Sequence, residues 1–462
     1  MEQHSVAVIM VPFPAQGHLN QLLQLSCLIS SSSSSSSNFP VHYVSSPIFI
    51  RQAISRANNL NPLHIQNIHF HEIPTPHFDS PPPDPNSPSK FPTQLQPAWY
   101  ASLNLREPFA AFLRDMSEKF KRVVVIHDPL MAVVVQDVTS IPNAESYVFN
   151  CISACSQVSF ARQELQKLAS VEFPKELPTF EGCVPDDVWY FVEIQSEPLE
   201  YRSGDLYNTC RLIEAPYLDI LEHKETAGKN RKRWAIGPIL PIEISPTDRE
   251  SRHECLGWLD KHEPNSVIYI SFGSTVSLQD EQIKELAMGL EQSKVKFLWV
   301  LRDADKGNVF EGQIRRAELP EGFEERVEGS GMVVRDWAPQ PQILAHASTG
   351  GFISHCGWNS CLESITMGVP MAAWPMHSDQ PVNTVLVTEV LRVGIVAREW
   401  KQRMELVRAS SIESCVKRLM ASEEGNEIRN RVEEMAIVVR RATQEGGASR
   451  VEMDSFIAHI SR

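Results

Sequence analysis

Val6 to Val11 is an unbroken apolar run that stops at Pro12. Such a run, partly β-branched and without polar alternation, suits a strand buried on both faces. After Gly17-His18, leucines at 19, 22, 23 and 25 follow helical spacing, until the serine tract Ser30 to Ser37 interrupts it as a low-complexity loop. Val41 to Ser45 resumes as a strand. Strand, helix and strand in that order predict a parallel βαβ unit. Residues 72 to 97 are rich in proline and read as a long exposed loop without regular structure. Val123 to Ile126 is another buried strand, ending in His127-Asp128, and Tyr147 to Phe149 is a further candidate.

A second set of periodic segments begins late. Ser266 to Phe272 reads as a strand followed by Gly273-Ser274, and Glu281 to Gln292 has helical spacing. Strands are expected at Phe297 to Leu301, Met332 to Arg335 and Gly351 to Ser354. The last meets His355-Cys356-Gly357, a polar turn Trp358-Asn359-Ser360, and a helical run closed by Gly368 and Pro370. Helical spacing returns around Val432 to Arg441, breaks at Gly446-Gly447, and resumes through Met453 and Ile457. Between the two sets, the prolines and charges of Gly237 to Glu254 suit a linker. The pattern predicts two doubly wound α/β domains, 1–240 and 253–440, joined by 241–252 and followed by a terminal helix over 441–462.

A chain of 462 residues exceeds one ordinary core, which agrees with two domains. A formal net charge of -14 argues against nucleic acid as the main partner, because phosphate binding needs a basic face. The nine cysteines have no repeated spacing and suit reduced thiols in a cytoplasmic protein. The N-terminal apolar run is too short for a signal peptide or a membrane helix, so no stable membrane insertion is expected.

In open α/β sheets, ligands sit at the C-terminal ends of strands, so polar residues just after apolar runs come first. Gly357 opens a helix whose free N–H groups, at Asn359 and Ser360, form a site for an anion such as phosphate. His355 adds a donor, and Glu363, one turn in, can accept from a ribose diol. An ordinary helix cap is the competing reading of this turn. At Gly17-His18, the helix dipole keeps the imidazole neutral, and Asp128 at the end of a strand of the same sheet could orient it. Such a pair activates an external hydroxyl; a cap residue and a turn former are the alternative. His69, His71, Glu72, His77 and Asp79 form a possible metal cluster, but a proline-rich loop gives them no fixed geometry, and no metal is expected. Neither G-x-x-x-x-G-K-[ST] nor an early G-x-G-x-x-G is present. Nucleotide hydrolysis and nicotinamide-dependent oxidoreduction are therefore disfavoured.

Trp337 to Gln380, WAPQPQILAHASTGGFISHCGWNSCLESITMGVPMAAWPMHSDQ, resembles the signature box of plant family 1 UDP-dependent glycosyltransferases. PFPAQGHLNQ around His18 is similar to that family's N-terminal catalytic stretch, and LRDADKG and ELPEGFEERVEG are similar to its zeatin O-glycosyltransferase branch. The resemblance implies a GT-B fold: two Rossmann-like domains facing across a cleft, the first binding an acceptor and the second a UDP-sugar, with the terminal helix packed back on the first. It implies a uracil platform at Trp337, with Ala338 and Gln340 holding the uridine and Glu363 the ribose. His355, Trp358, Asn359 and Ser360 would hold the diphosphate with Ser274 beside them, and Trp358, Asp379 and Gln380 would meet the sugar. His18 and Asp128 would be the catalytic pair of an inverting, metal-independent O-transfer, with UDP-glucose as the favoured donor and UDP-xylose open. Acceptor contacts are expected from Phe13, Phe91, Trp99, Met131, Asn150, Trp189 and His377. The acceptor is expected to be a small plant metabolite, a zeatin-type cytokinin first and a flavonoid or flavonoid glycoside second. The protein is expected to be a monomer. A nucleotide-sugar-binding protein without transfer activity is the contrasting class, which the presence of both His18 and Asp128 disfavours.

Overall fold

The computed structural model describes residues 4–31, 39–57, 60–161, 180–225, 231–240 and 252–462. Most of the serine tract and nearly all of the expected linker lie outside them. β1 (His4–Val11), β2 (Val41–Ser45), β3 (Ile68–Glu72), β4 (Phe120–His127), β5 (Ala144–Asn150), β6 (Gly204–Tyr207) and β7 (Lys232–Ala235) form one sheet in the order β3-β2-β1-β4-β5-β6-β7. β8 (Val267–Ser271), β9 (Lys296–Val300), β10 (Gly331–Val334), β11 (Thr349–Ser354), β12 (Met371–Ala373) and β13 (Gly394–Val396) form another, ordered β10-β9-β8-β11-β12-β13. Every pairing in both sheets is parallel.

The unbroken apolar runs follow from helices covering both faces of each sheet. In β1, Val6, Val8 and Met10 enter one core, while Ala7, Ile9 and Val11 enter another across the sheet. In β8, Val267 and Tyr269 face one core and Ile268 and Ile270 the other. Each such fully buried Val, Ile or Met side chain contributes about 1.5–3 kcal/mol relative to exposure. α1 (Gln16–Ser31) follows β1, and α2 (Pro47–Ser55) follows β2. The final helix, Ala448–Ile460, buries Met453, Phe456 and Ile460 in the core of the first sheet. Arg122 on β4 donates to the carbonyls of His459 and Ile460, at 3.0 Å each, where the helix dipole favours a cation.

Strand order reverses between β1 and β4 in the first sheet and between β8 and β11 in the second. At these switch points the connections leave in opposite directions and open a crevice at the strand ends. His18 and Asp128 follow one pair of strands, and Gly273 and His355 the other.

Five strands escaped the pattern. β12 and β13 have three residues each, and β6 and β7 four each, too short for a periodicity signal. β3 is IHFHE, so His69, His71 and Glu72 stand in a strand rather than in the proline-rich loop. His69 pairs with His42 across β2, and His42 Nδ1 lies 2.8 Å from His71 Nε2. The long loop is also shorter than expected, because helix Gln96–Ser102 begins within it. No helix among the described residues is long and apolar enough to cross a membrane.

Candidate functional site

A cavity of about 430 Å³ lies between the two sheets, lined from the first half by Phe13, His18, Phe91 and Trp99 and from the second by Trp337, His355, Glu363 and Asp379. His18 sits in the first turn of α1, and its Nδ1 lies 2.6 Å from Asp128 Oδ2. Asp128 is fully buried at the end of β4. Its Oδ1 accepts from the Leu130 N–H at 2.9 Å, which fixes the carboxylate, and the Cys151 thiol reaches Oδ2 at 3.5 Å. Because a carboxylate only accepts, the proton of the neutral His18 ring rests on Nδ1, and Nε2 then presents a lone pair to the cavity. Burial lowers the His18 pKa, but Asp128 and, more weakly, Asp379 outweigh it and raise the pKa above its ordinary value, against the expectation that the helix dipole would hold the ring neutral. The neighbouring His127 is different: its Nδ1 bonds to the Asp128 carbonyl, and burial holds its pKa near 4.

Across the cleft, Gly357 precedes helix Trp358–Met367 and no side chain caps that end. The first N–H groups of the helix are therefore open to an anion. The His355 imidazole is wedged between two glycines: a Cβ on Gly273 would lie 2.5 Å from its Nε2, and one on Gly357 2.6 Å. Gly273 also has φ +76°, which a side chain rarely adopts. Burial lowers the His355 pKa to about 4, and its Nδ1 has no hydrogen-bond partner within the protein. The ring is a neutral donor beside an anion site.

Glu363 accepts from Gln340 Nε2 at 2.6 Å, and Gln340 also reaches Ser360 Oγ at 2.9 Å. Burial lifts the Glu363 carboxyl to about 7, with the Gln340 bond pulling the other way. Trp337 lies beside Ala338 in the cavity wall. Asp379 is held by Asn383 Nδ2 at 2.8 Å, and burial raises its pKa despite that bond. Gln380 accepts the backbone N–H groups of Met376 and His377 at 2.8 and 3.0 Å.

The structure thus brings His18, Ser274, Trp337, Ala338, Gln340, His355, Trp358, Asn359, Ser360, Glu363, Asp379, Gln380, Phe13, Phe91, Trp99 and His377 to one cavity. At the start of the helix, the side chains of Trp358 and Asn359 are engaged with the first half. The Trp358 indole donates to the Asn208 carbonyl at 2.8 Å, and Asn359 donates to the Gly17 carbonyl at 3.1 Å while accepting from Gln21. Their backbone N–H groups remain the parts that an anion can use.

Three expected acceptor contacts do not line the cavity. Met131 lies in the core beneath Ser102, and Asn150 donates to the Leu206 carbonyl at 3.2 Å on the neighbouring strand. Trp189 packs on Phe160, while Val188, Phe191 and Val192 of the same helix face the cavity. Positions three and four apart share a helix face, and Trp189 is one position off it.

Sequence reasoning missed Arg56, Gln21, Asn208 and Phe191. Gln21 lies on the same helix as His18, and Asn208 directly follows β6, so both were within reach of the strand-end rule once that strand was known. Among the described residues, one group of His, Cys, Asp or Glu brings its ligand atoms within 4.8 Å of one another: His18, Asp128 and Cys151. Of the suspected metal cluster, none lines the cavity.

Known proteins match along the whole chain. The family model described as glycosyltransferase, N-terminal domain, covers residues 4–241, and that of UDP-glucoronosyl and UDP-glucosyl transferase covers 251–423. The chain is 53% identical to zeatin O-glucosyltransferase of Phaseolus lunatus, over 99% of this chain and 97% of that one. It is 52% identical to zeatin O-xylosyltransferase of Phaseolus vulgaris, over 100% and 99%. Among solved structures, a transferase from Siraitia grosvenorii in complex with UDP superposes with a TM-score of 0.76 at 29% identity, covering 99% of this chain and all of that one.

Proposed function

Since the chain belongs to the UDP-glucosyl transferase family and is a UDP-sugar-dependent O-glycosyltransferase of GT-B fold acting on a small molecule, we propose that His18 is its catalytic base and that the sugar is glucose, transferred to a hydroxyl of a zeatin-type cytokinin. The His18–Asp128 bond at 2.6 Å, opening on the same cavity as His355, carries this reading. His18 Nε2 takes the proton of the acceptor hydroxyl, and Asp128 stabilises the imidazolium formed. The oxygen attacks the anomeric carbon opposite the diphosphate, so the configuration inverts. The N–H groups at the start of helix Trp358–Met367 and the His355 ring stabilise the departing charge, a role that a metal would otherwise fill. Trp337, Ala338 and Gln340 hold the uridine, with Ser274 beside the diphosphate and Asp379 and Gln380 toward the sugar. We place the acceptor-binding domain at 1–240, the linker at 241–252, the donor-binding domain at 253–440 and the closing helix at 441–462.

The acceptor end of the cavity is walled by Phe13, Phe91, Trp99 and Phe191, with Phe13 and Trp99 centroids 5.3 Å apart. Apolar aromatic walls suit a flat ring system with one hydroxyl aimed at His18. Similarity to both a glucosyl- and a xylosyltransferase of zeatin supports the acceptor class. The test is competition of trans-zeatin, cis-zeatin and flavonoids for transfer, each with UDP-glucose and UDP-xylose. Transfer from UDP-glucose to a zeatin hydroxyl at the highest kcat/KM is expected. A flavonoid or flavonoid glycoside winning would overturn the acceptor, and xylose winning would overturn the sugar.

Glu363 gives this reading a pH signature. Its carboxyl, at about 7 in the free protein, must be ionised to accept both ribose hydroxyls. Below that pH, binding has to expel the proton, so the UDP-glucose Kd should rise by up to about tenfold per unit of acidification. Calorimetry between pH 5.5 and 8.5 is expected to show this slope, and Glu363→Gln to flatten it.

A further inference from the structure

Arg56, just beyond α2 in the first half, reaches across the cleft. Its guanidinium forms a bidentate pair with Asp305 of the second half, at 2.6 and 3.0 Å, and both side chains are largely buried. Arg302 also pairs with Asp305, and together the two cations keep its carboxyl below the usual range despite burial. The same Arg56 guanidinium lies 4.5 Å from the centroid of the Trp337 ring. It further donates to Gln16 Oε1 at 2.7 Å, in the first turn of the helix that bears His18. One side chain therefore touches the aromatic ring of the donor half, a loop anchor in that half, and the catalytic helix.

The loop carrying Asp305 is docked on the first half at further points. Gln94 donates to the Asp305 carbonyl at 3.1 Å, Ser80 Oγ accepts from the Asn308 N–H at 2.8 Å, and Arg51 lies 3.9 Å from the Phe310 ring centroid. Arg56 differs from these in that it reaches Trp337 and lines the cavity.

We propose that Arg56 is a positioning residue for the donor: locked by Asp305, it fixes the plane of the Trp337 indole and registers that platform against the helix carrying the base. The inference rests on the UDP-sugar reading of the cavity. A planar guanidinium suits this place because it offers a fork to the carboxylate and a flat face to the indole together. Lysine has neither, so charge alone will not substitute.

The test uses the full-length enzyme with UDP-glucose and trans-zeatin. Arg56→Ala is expected to raise the KM for UDP-glucose and the Kd for UDP by about 10-fold or more, with the KM for zeatin within about twofold. Arg56→Lys should recover little of this. Millimolar guanidinium added to Arg56→Ala should restore donor affinity, as a merely structural role would not allow. Asp305→Asn should weaken the donor in the same direction, and the double variant should be no worse than Arg56→Ala. Unchanged donor KM in Arg56→Ala, or a loss that affects donor and acceptor alike with a lowered Tm and no guanidinium rescue, would overturn the proposal. A wild-type enzyme that transfers from no UDP-sugar would instead remove the premise.

Discussion

His18→Ala is expected to lower kcat by about 10²- to 10⁴-fold while UDP binding stays within about twofold of the wild type. In the proposed mechanism His18 acts only on the acceptor hydroxyl, and Trp337, His355 and Glu363, proposed to hold the donor, line the cavity from the other half of the cleft. Single-turnover transfer and UDP calorimetry on the same preparation separate the two effects. Equal loss of both would mean that the substitution disturbed the cleft rather than the proton transfer. Asp128→Asn adds a second readout. Asp128 is a main cause of the raised His18 pKa, set against burial, which lowers it. In the wild type, kcat/KM should fall as the pH drops through a value above the ordinary imidazole range, because a protonated imidazole cannot accept the hydroxyl proton. With Asn at 128 the raising cause is gone and burial remains, so this acidic limb should move to lower pH. The maximal rate should fall as well, since an amide can donate to Nδ1 and favour the wrong tautomer. An acidic limb unmoved by Asp128→Asn would assign it to another group.

The fold was legible where strands are long and buried on both faces. VAVIMV, VIYIS and KFLWV carry enough apolar side chains to declare themselves, and their cores alternate across the sheets as a parallel arrangement demands. β3 hid because its residues IHFHE look like a polar cluster. Its histidines are admitted because the outer strand of the sheet is only half covered, as the burial of β3 shows. The second-half wall of the cavity was legible because most of its residues fall within one contiguous stretch, Trp337 to Gln380. The first-half wall was legible only in part, at Phe13, Phe91 and Trp99, because its residues come from separate elements whose facing positions depend on helix phase. Trp189 and Phe191 are two residues apart, and the fold turns only the second into the cavity. Arg56 was invisible for a stronger reason: its partner is 249 residues away in sequence, on the other half of the molecule.

Substitution at His355 should be the next most damaging change, for a different physical reason. The imidazole is buried between Gly273 and Gly357 with no counter-charge, and burial alone depresses its pKa to about 4. It is therefore neutral throughout the working range and can stabilise a diphosphate only by donating an N–H. A donor aimed where charge develops as the glycosidic bond breaks contributes mainly to the transition state, so His355→Ala is expected to lower kcat by about 10²- to 10³-fold. His355→Gln keeps an N–H donor at similar reach and should recover part of the loss, whereas His355→Asn, shorter by one carbon, should not. Neither should shift the acidic limb of the pH profile, because His355 does not titrate there. The two histidines then become separable in one experiment: Asp128→Asn moves the limb, and His355→Gln lowers the plateau without moving it. A limb displaced by His355→Gln would show that the ring carries a proton during turnover, and the roles drawn for the two residues would have to be exchanged. Their surroundings argue against that exchange. His18 has a buried carboxylate 2.6 Å away to support a positive charge, while the wedged His355 ring has another histidine, His377, among its neighbours.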